Sequence, residues 1–251
     1  MLSKNLIKLI HSLEMKKFRK EHNLFVAEGE KLVKDLLTSA VECEKIIATE
    51  QFAGMLQKFG IKDAVIVNEE ELKKASFLRT PQGIIGLFKQ KSTPLDPSVP
   101  QHELCLALDD VQDPGNLGTI VRIADWFGIK NIYCSNGTAD AFSPKTVQAT
   151  MGALARVKLH YCDLKELISK LDDVPVFGTF LDGKNIYENE LSANGLIMMG
   201  NEGNGISKEV SELINKRILI PNYPQGNETS ESLNVAIATA IVCSEFRRRQ
   251  I

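Results

Sequence analysis

The amino-acid sequence predicts an α/β protein with a mainly parallel sheet in its C-terminal part and a smaller α/β domain at its N-terminus. From residue 104 onward, short apolar runs of strand character alternate with stretches of helical periodicity. This alternation favours a parallel sheet that helices cover on both faces. Residues 91–102 contain three prolines and no apolar periodicity, as is typical of a linker. We therefore divide the chain into an N-terminal domain of residues 1–90, the linker 91–102 and a C-terminal domain of residues 103–251.

Local patterns predict the elements of the N-terminal domain. Apolar residues recur at helical spacing from Leu6 to Phe18, which indicates a first helix with basic residues at its end. Asn68, with Glu71 three residues later, is a capping signal for a helix over 69–75. The other predicted helices are 30–37 and 50–58, and the predicted strands are 24–27, 45–48, 64–67 and 84–88.

The C-terminal domain is predicted by the same two periodicities. Strands are expected at 104–108, 131–134, 157–160, 174–180, 196–199 and 217–220. Helices are expected at 117–127, 145–155, 164–171, 207–215 and 232–249. In helix 117–127 the apolar residues gather on one face, and Arg122 points nearly the opposite way, out of the core.

Composition and charge restrict the possible functions. The 251 residues carry a net charge of −2 and give a pI of about 6.1, so any nucleic-acid binding must come from local basic patches. The five cysteines are scattered singly and the four histidines stand far apart, so we expect reduced thiols and no metal site. The N-terminus lacks the pattern of a signal peptide, and a cytoplasmic protein is expected.

Three loops carry the polar residues that point to a function. They lie within residues 110–122, 196–206 and 218–235, and each joins an apolar strand to a helical pattern through glycine, asparagine or serine. In an α/β domain such loops converge at one edge of the sheet, where ligands bind. The second half of the chain therefore indicates an enzyme or a ligand-binding protein.

Single residues in these loops have ordinary structural interpretations too. Arg122 is either an exposed arginine, paired with Asp125 on the same helix, or a functional group. Glu202 follows a buried strand and needs solvent or a partner, for which Arg122 is a candidate. Ser232 stands where the N-cap of the last helix belongs.

Taken together, the loops resemble the three motifs of the SpoU (TrmH-like) family of RNA ribose methyltransferases. Asn116, Gly118 and Arg122 match the first motif in spacing. The second motif matches Gly200-Asn-Glu-Gly-Asn-Gly-Ile206, and the third matches Ile220-Pro221 followed by Ser232-Leu-Asn-Val235. The resemblance covers residues 104–250.

This resemblance implies a trefoil-knotted sheet of the SPOUT type, S-adenosylmethionine as the cofactor, a homodimer, and methyl transfer to a ribose 2′-hydroxyl. The residues implied to be catalytic are Arg122, Asn116, Glu202, Ser232 and Asn234. Those implied to bind the cofactor are Thr179, Gly200, Ile220 and Leu233. Arginine stays protonated in proteins, so we interpret Arg122 as an electrostatic stabiliser and phosphate clamp instead of a base.

The N-terminal domain adds to the resemblance. Segments 16–20, 25–29 and 80–83 are similar to the ribosomal-protein-like substrate domain of many family members. The predicted RNA-binding residues are Lys16, Lys17, Arg19, Lys20 and Lys145. Such an appended domain favours ribosomal RNA as the substrate, with transfer RNA as the alternative.

Two other classes of protein stay open at this point. One is a catalytically silent RNA-binding or ribosome-assembly factor on the same scaffold, which would have no chemical reason to keep all five catalytic candidates. The other is a nucleotide-dependent enzyme with a doubly wound fold, although the glycines of residues 200–205 do not follow the dinucleotide-binding order.

Overall fold

The computed structural model describes residues 2–91, 93–224 and 232–250. Its helices are α1 Lys4–Ser12, α2 Lys16–His22, α3 Glu30–Leu37, α4 Ala53–Lys58, α5 Glu69–Lys73, α6 Pro114–Trp126, α7 Pro144–Thr150, α8 Leu164–Ser169, α9 Lys208–Ser211 and α10 Val235–Arg248. Its strands are β1 Leu24–Glu28, β2 Cys43–Ala48, β3 Val65–Ile66, β4 Ile84–Lys89, β5 Leu104–Leu108, β6 Asn131–Cys134, β7 Lys158–Tyr161, β8 Val176–Asn185, β9 Gly195–Met199 and β10 Lys216–Leu219.

Contacts within the chain define two compact units. Unit 1 consists of Met1–Ser92 together with Asp140–Arg156, and unit 2 consists of Thr93–Ala139 together with Val157–Ile251. Residues 140–156, which we call the inserted segment, therefore pack with the N-terminal residues although β6 and β7 of the second unit flank them in the chain.

Unit 1 is a four-stranded sheet with helices on both faces. The strand order is β1-β4-β2-β3; β4 runs antiparallel to β1 and β2, and β2 is parallel to β3. One face packs against α3, α4 and the inserted segment, and the other against α1 and α5. Apolar side chains therefore fill both sides of the sheet, which explains why its strands read as apolar runs.

The first predicted helix is divided in two. The chain turns at residues 13–15, and α2 then runs to Asn23, whose left-handed backbone (φ 54°) ends the helix. The helix predicted over 145–155 is also shorter, because Met151 and Gly152 both take positive φ values after α7. The capping box of Asn68 and Glu71 at the start of α5 is confirmed.

Unit 2 contains the predicted parallel sheet. The strand order is β10-β8-β9-β5-β6-β7, and every neighbouring pair is parallel. From β5 the chain adds β6 and β7 on one side of β5. It then returns to form β8 on the other side, and β9 fills the position between β8 and β5. The strand order thus reverses beside β5, which is where α/β sheets bind ligands. The trefoil knot stays a prediction.

Two helices follow the loops that matter for function. Helix α6 begins at Pro114, earlier than predicted, because the Asp113 carboxylate accepts the Asn116 backbone N–H at 2.9 Å. Helix α10 packs against α6. The Arg247 side chain of α10 donates to the carbonyl of Phe127 at 2.7 Å, which satisfies an open carbonyl at the end of α6.

Candidate active site at the carboxyl edge of the parallel sheet

The first and second motifs meet where β5 and β9 end. These strands are parallel neighbours, with Leu108 opposite Met199, so their following loops leave the same edge of the sheet. Asn116 lies in the first turn of α6, and Glu202 lies in the glycine-rich loop after β9. The structure therefore brings together two residues that are 86 positions apart in the chain.

A line of hydrogen bonds joins residues from all three motifs. Asn116 donates from Nδ2 to Glu202 Oε1 at 2.9 Å, and its Oδ1 accepts from Asn234 Nδ2 at 3.0 Å. Asn234 is the N-cap of α10 and accepts the Ala236 N–H at 3.0 Å. We call Glu202, Asn116 and Asn234 the amide chain. The carboxylate can only accept, so it fixes which way the Asn116 amide faces and, through it, the start of α10.

Additional bonds tie the two loops together. The buried Asp109 carboxylate accepts the Ser207 N–H at 2.8 Å, and Asn201 Nδ2 donates to the Asp110 carbonyl at 2.7 Å. A Cβ on Gly200 would lie 2.2 Å from the Gly205 carbonyl carbon, so only glycine fits there. Sequence reasoning missed Asp109 and Asn201, although a polar residue directly after an apolar strand is a signal for such a role.

Arg122 lies outside the amide chain. Its side chain is exposed on α6, and within residues 2–91, 93–224 and 232–250 it makes no ion pair with Glu202. Arg122, a candidate partner, is therefore not the group that Glu202 meets, and the carboxylate instead accepts from Asn116 at 2.9 Å and from the Gln112 backbone N–H at 3.4 Å. Arg122 shares its helix face with Trp126, one turn later, which is 84 % exposed.

Ser232 also differs from its predicted structural role. It is exposed and precedes α10 by three residues, whereas Asn234 caps the helix with its side-chain oxygen. The interpretation of Ser232 as the N-cap is therefore wrong. Residues 225–231 of the third loop lie outside the described residues.

Three of the four predicted cofactor residues lie on or directly after strands of the parallel sheet. Gly200 directly follows β9 and Ile220 directly follows β10, while Thr179 stands where β8 leaves its pairing with β10. Because β10, β8 and β9 are parallel neighbours, these positions lie toward the same edge of the sheet. Gly200 is buried, Thr179 and Ile220 are half-buried, and Leu233 is 49 % exposed.

A cluster of three side chains lies where the pairing between β8 and β10 is interrupted. Pairing with β10 stops after Gly178 and resumes at Lys184. The Arg217 guanidinium lies 3.5 Å from the centre of the Phe180 ring and pairs with Asp182 at 2.5 Å. This pairing lowers the pKa of the Asp182 carboxyl. The cluster gives the segment that contains Thr179 a defined position.

The predicted RNA-binding residues of unit 1 divide into two kinds. Lys16, Lys17, Lys20 and Lys145 are exposed. Arg19 is only 3 % exposed, and its guanidinium donates to the Leu13 carbonyl at 2.8 Å and pairs with Asp140 at 2.8 Å. The prediction that Arg19 contacts RNA is therefore wrong, because the fold itself uses this guanidinium.

Other features of the described residues concern ligands and the membrane. The five cysteines are free thiols, and burial raises the pKa of Cys105 to about 12. Across residues 2–91, 93–224 and 232–250, no three His, Cys, Asp or Glu side chains group as a metal ion would need. Nor does any helix in those ranges have the length and apolar character of a membrane span.

Comparison with known proteins gives matches to both parts of the chain. The model of the SpoU rRNA methylase family matches residues 103–244. The model of the MRM3-like substrate-binding domain matches residues 4–86. The first match includes the glycine-rich loop and the amide chain.

Individual relatives are similar along nearly their whole length. The 23S rRNA (guanosine(2553)-2′-O)-methyltransferase RlmP of Bacillus subtilis is 32 % identical over 239 residues, which are 94 % of this chain and 93 % of that protein. The structure of a TrmH-family protein from Porphyromonas gingivalis has a TM-score of 0.88 and 42 % identity and covers 99 % of both chains. An AdoMet-bound rRNA methyltransferase from Sinorhizobium meliloti has a TM-score of 0.87 and 31 % identity, with 100 % of this chain and 97 % of that chain covered.

Proposed function

Since the chain belongs to the SpoU rRNA methylase family, we propose that it transfers a methyl group from S-adenosylmethionine to a ribose 2′-hydroxyl of ribosomal RNA. The observation that carries this proposal is the amide chain, because it joins the three motifs at one edge of the sheet. The names of the relatives from Bacillus subtilis and Sinorhizobium meliloti support the cofactor, the ribose target and the class of RNA.

The residues at the sheet edge fit this cofactor. Gly200 and Ile220 follow two strands of a parallel sheet, and their strand-end backbone offers N–H and C=O groups to a nucleoside. Ile220 and Leu233 are partly exposed apolar side chains, which would pack against an adenine ring. Bound there, the cofactor supplies an activated methyl group, so the protein has mainly to position the hydroxyl.

The residues of the amide chain position groups instead of accepting a proton. Both Glu202 oxygens accept N–H groups that hold the loops, one from Asn116 at 2.9 Å and one from the Gln112 backbone at 3.4 Å. We assign Arg122 to the developing negative charge on the ribose oxygen and to a neighbouring phosphate, because its guanidinium is exposed and permanently charged. The proton would then leave through phosphate or water.

The exposed apolar residues of unit 2 support a homodimer. Trp126 of α6 is 84 % exposed and Ile237 of α10 is 54 % exposed, and these two helices pack together. Such side chains are more common in interfaces than on free surfaces. Arg122 shares the α6 face with Trp126, so a second copy that covers this face would also lie against Arg122.

The test is methyl transfer to unmodified RNA. Purified protein is incubated with tritiated S-adenosylmethionine and in vitro transcribed 23S rRNA, with total transfer RNA in a parallel reaction, and the product is digested with alkali. We expect label in an alkali-resistant dinucleotide from 23S rRNA. Label only in transfer RNA would overturn the substrate class, label in alkali-sensitive products would overturn the ribose target, and cofactor binding without label in either RNA would contradict the proposed reaction.

A further inference from the structure

The inserted segment is attached to the rest of unit 1 by an ion pair between a buried arginine and a half-buried aspartate. Arg19 of α2 pairs through its terminal nitrogen with Asp140 at 2.8 Å, and Asp140 uses its other oxygen to accept the Phe142 N–H at 2.9 Å. Arg19 also donates to the carbonyls of Leu13 and Glu14 at 2.8 and 2.6 Å. One pair therefore fixes both the turn before α2 and the start of the inserted segment.

Both elements lie at the same edge of the four-stranded sheet. β1 is an edge strand, and both α2 and α7 contact it. The Phe142 ring of the inserted segment lies 5.1 Å from the Phe25 ring of β1, and Val147 of α7 belongs to the same apolar cluster. The relative position of α2 and α7 is thus set by packing as well as by charge.

Exposed cations occur on both of these helices. Lys16, Lys17 and Lys20 lie on α2, and Lys145 lies on α7. The β1 edge therefore presents lysines from two distant parts of the chain, in a unit whose N-terminal part matches a substrate-binding domain. Lysines on rigid elements bind the phosphates of RNA best when their spacing is fixed beforehand.

We propose that Arg19 and Asp140 are positioning residues for a composite RNA surface, in which α2 and α7 contact the phosphate backbone of the same RNA. This inference rests on the proposed function and adds to it. It assigns RNA binding to the inserted segment, which lies within the residues that match the SpoU family model. It also gives the buried arginine of the basic cluster a role distinct from that of its exposed neighbours.

The test measures the affinity for in vitro transcribed 23S rRNA as a function of salt. Lys17→Gln and Lys145→Gln are each expected to lower the slope of log affinity against log salt by about one. Lys58→Gln is the matched control, because Lys58 is exposed on α4, which leads to β3 at the opposite edge of the sheet. It should leave the slope unchanged.

Asp140→Asn tests the positioning role without removing the side chain. We expect about a fivefold weaker RNA affinity, the reduced salt slope of Lys145→Gln, and unchanged binding of S-adenosylmethionine. The double variant Asp140→Asn/Lys145→Gln should show no further loss of slope. An unchanged slope in Lys145→Gln, or unchanged RNA affinity in folded Asp140→Asn, would overturn the proposal. Failure of the unaltered protein to bind or methylate the RNA would instead contradict the proposed function.

Discussion

Exchanging the amide and the carboxylate at the centre of the amide chain is the sharpest test of the site. Asn116→Asp replaces the N–H donor that faces Glu202 at 2.9 Å with a second carboxylate. A hydrogen bond to a charged group contributes about 1.5 to 3 kcal/mol. Two carboxylates about 3 Å apart repel by about 1.4 kcal/mol even at the dielectric constant of water. The two effects together, about 3 to 4.4 kcal/mol, correspond to a loss of about a hundredfold to a thousandfold in kcat/KM.

The reciprocal variant distinguishes the hydrogen bond from simple damage. In Asn116→Asp/Glu202→Gln, the glutamine amide donates to the new carboxylate, whose other oxygen still accepts from Asn234. We expect kcat/KM for methyl transfer to 23S rRNA to recover at least about tenfold relative to Asn116→Asp alone. Asn204→Asp is the control, because it adds the same charge to an exposed position of the same loop. A double variant no better than Asn116→Asp, or an equal loss in Asn204→Asp, would refute the reasoning.

Three other outcomes are expected. Arg122→Lys should lower kcat for methyl transfer at least about tenfold with an unchanged melting temperature, because a lysine lacks the forked donor geometry; near-normal turnover would contradict the clamp role. Changing the three exposed lysines of α2 to glutamate should weaken RNA binding in a filter assay and spare cofactor binding, whereas loss of both would indicate misfolding. The pKa of Glu245 is lowered to about 2 by Arg248, the last residue of α10, and by Arg249, which follows it. Glu245 therefore stabilises the fold above its unfolded pKa and loses that effect as pH falls toward 2. Glu245→Gln should therefore lower the free energy of unfolding at pH 7, measured with urea, by about 1 to 2 kcal/mol. It should also make the stability fall less steeply as the pH is lowered, and an unchanged decrease of stability at acid pH would contradict this assignment.

The strands of the parallel sheet were the most predictable part of the fold. β5 is buried on both faces, so it reads as the apolar run that was predicted, with the same bounds at Leu104 and Leu108. Strand order was not predictable in this way, because periodicity reports which faces are buried and not which strands are neighbours. The location of β9 between β8 and β5 required the structure.

In the candidate site, residue identity was predictable from the motifs and pairing was not. Arg122 was a candidate partner for Glu202, but Asn116 lies in the first turn of α6, beside the loop, and Arg122 lies about 9 Å further along the helix. Arg19 was grouped with Lys16, Lys17 and Lys20 because the four cations lie within five consecutive residues. The turn at residues 13–15 instead brings two carbonyls to its guanidinium.

The inserted segment has a consequence for folding during synthesis. The sheet of unit 1 is complete in sequence by residue 92, yet part of its apolar cover is supplied by residues 140–156. After residue 92 a ribosome needs about 3 to 13 s to add the 64 residues up to Arg156. Until residues 140–147 have been added, the β1 edge lacks Phe142 and Val147, and the Arg19 guanidinium lacks Asp140. The N-terminal part of the nascent chain therefore cannot complete its apolar core during this interval. A chaperone that binds apolar strands would bind at the β1 edge in that time.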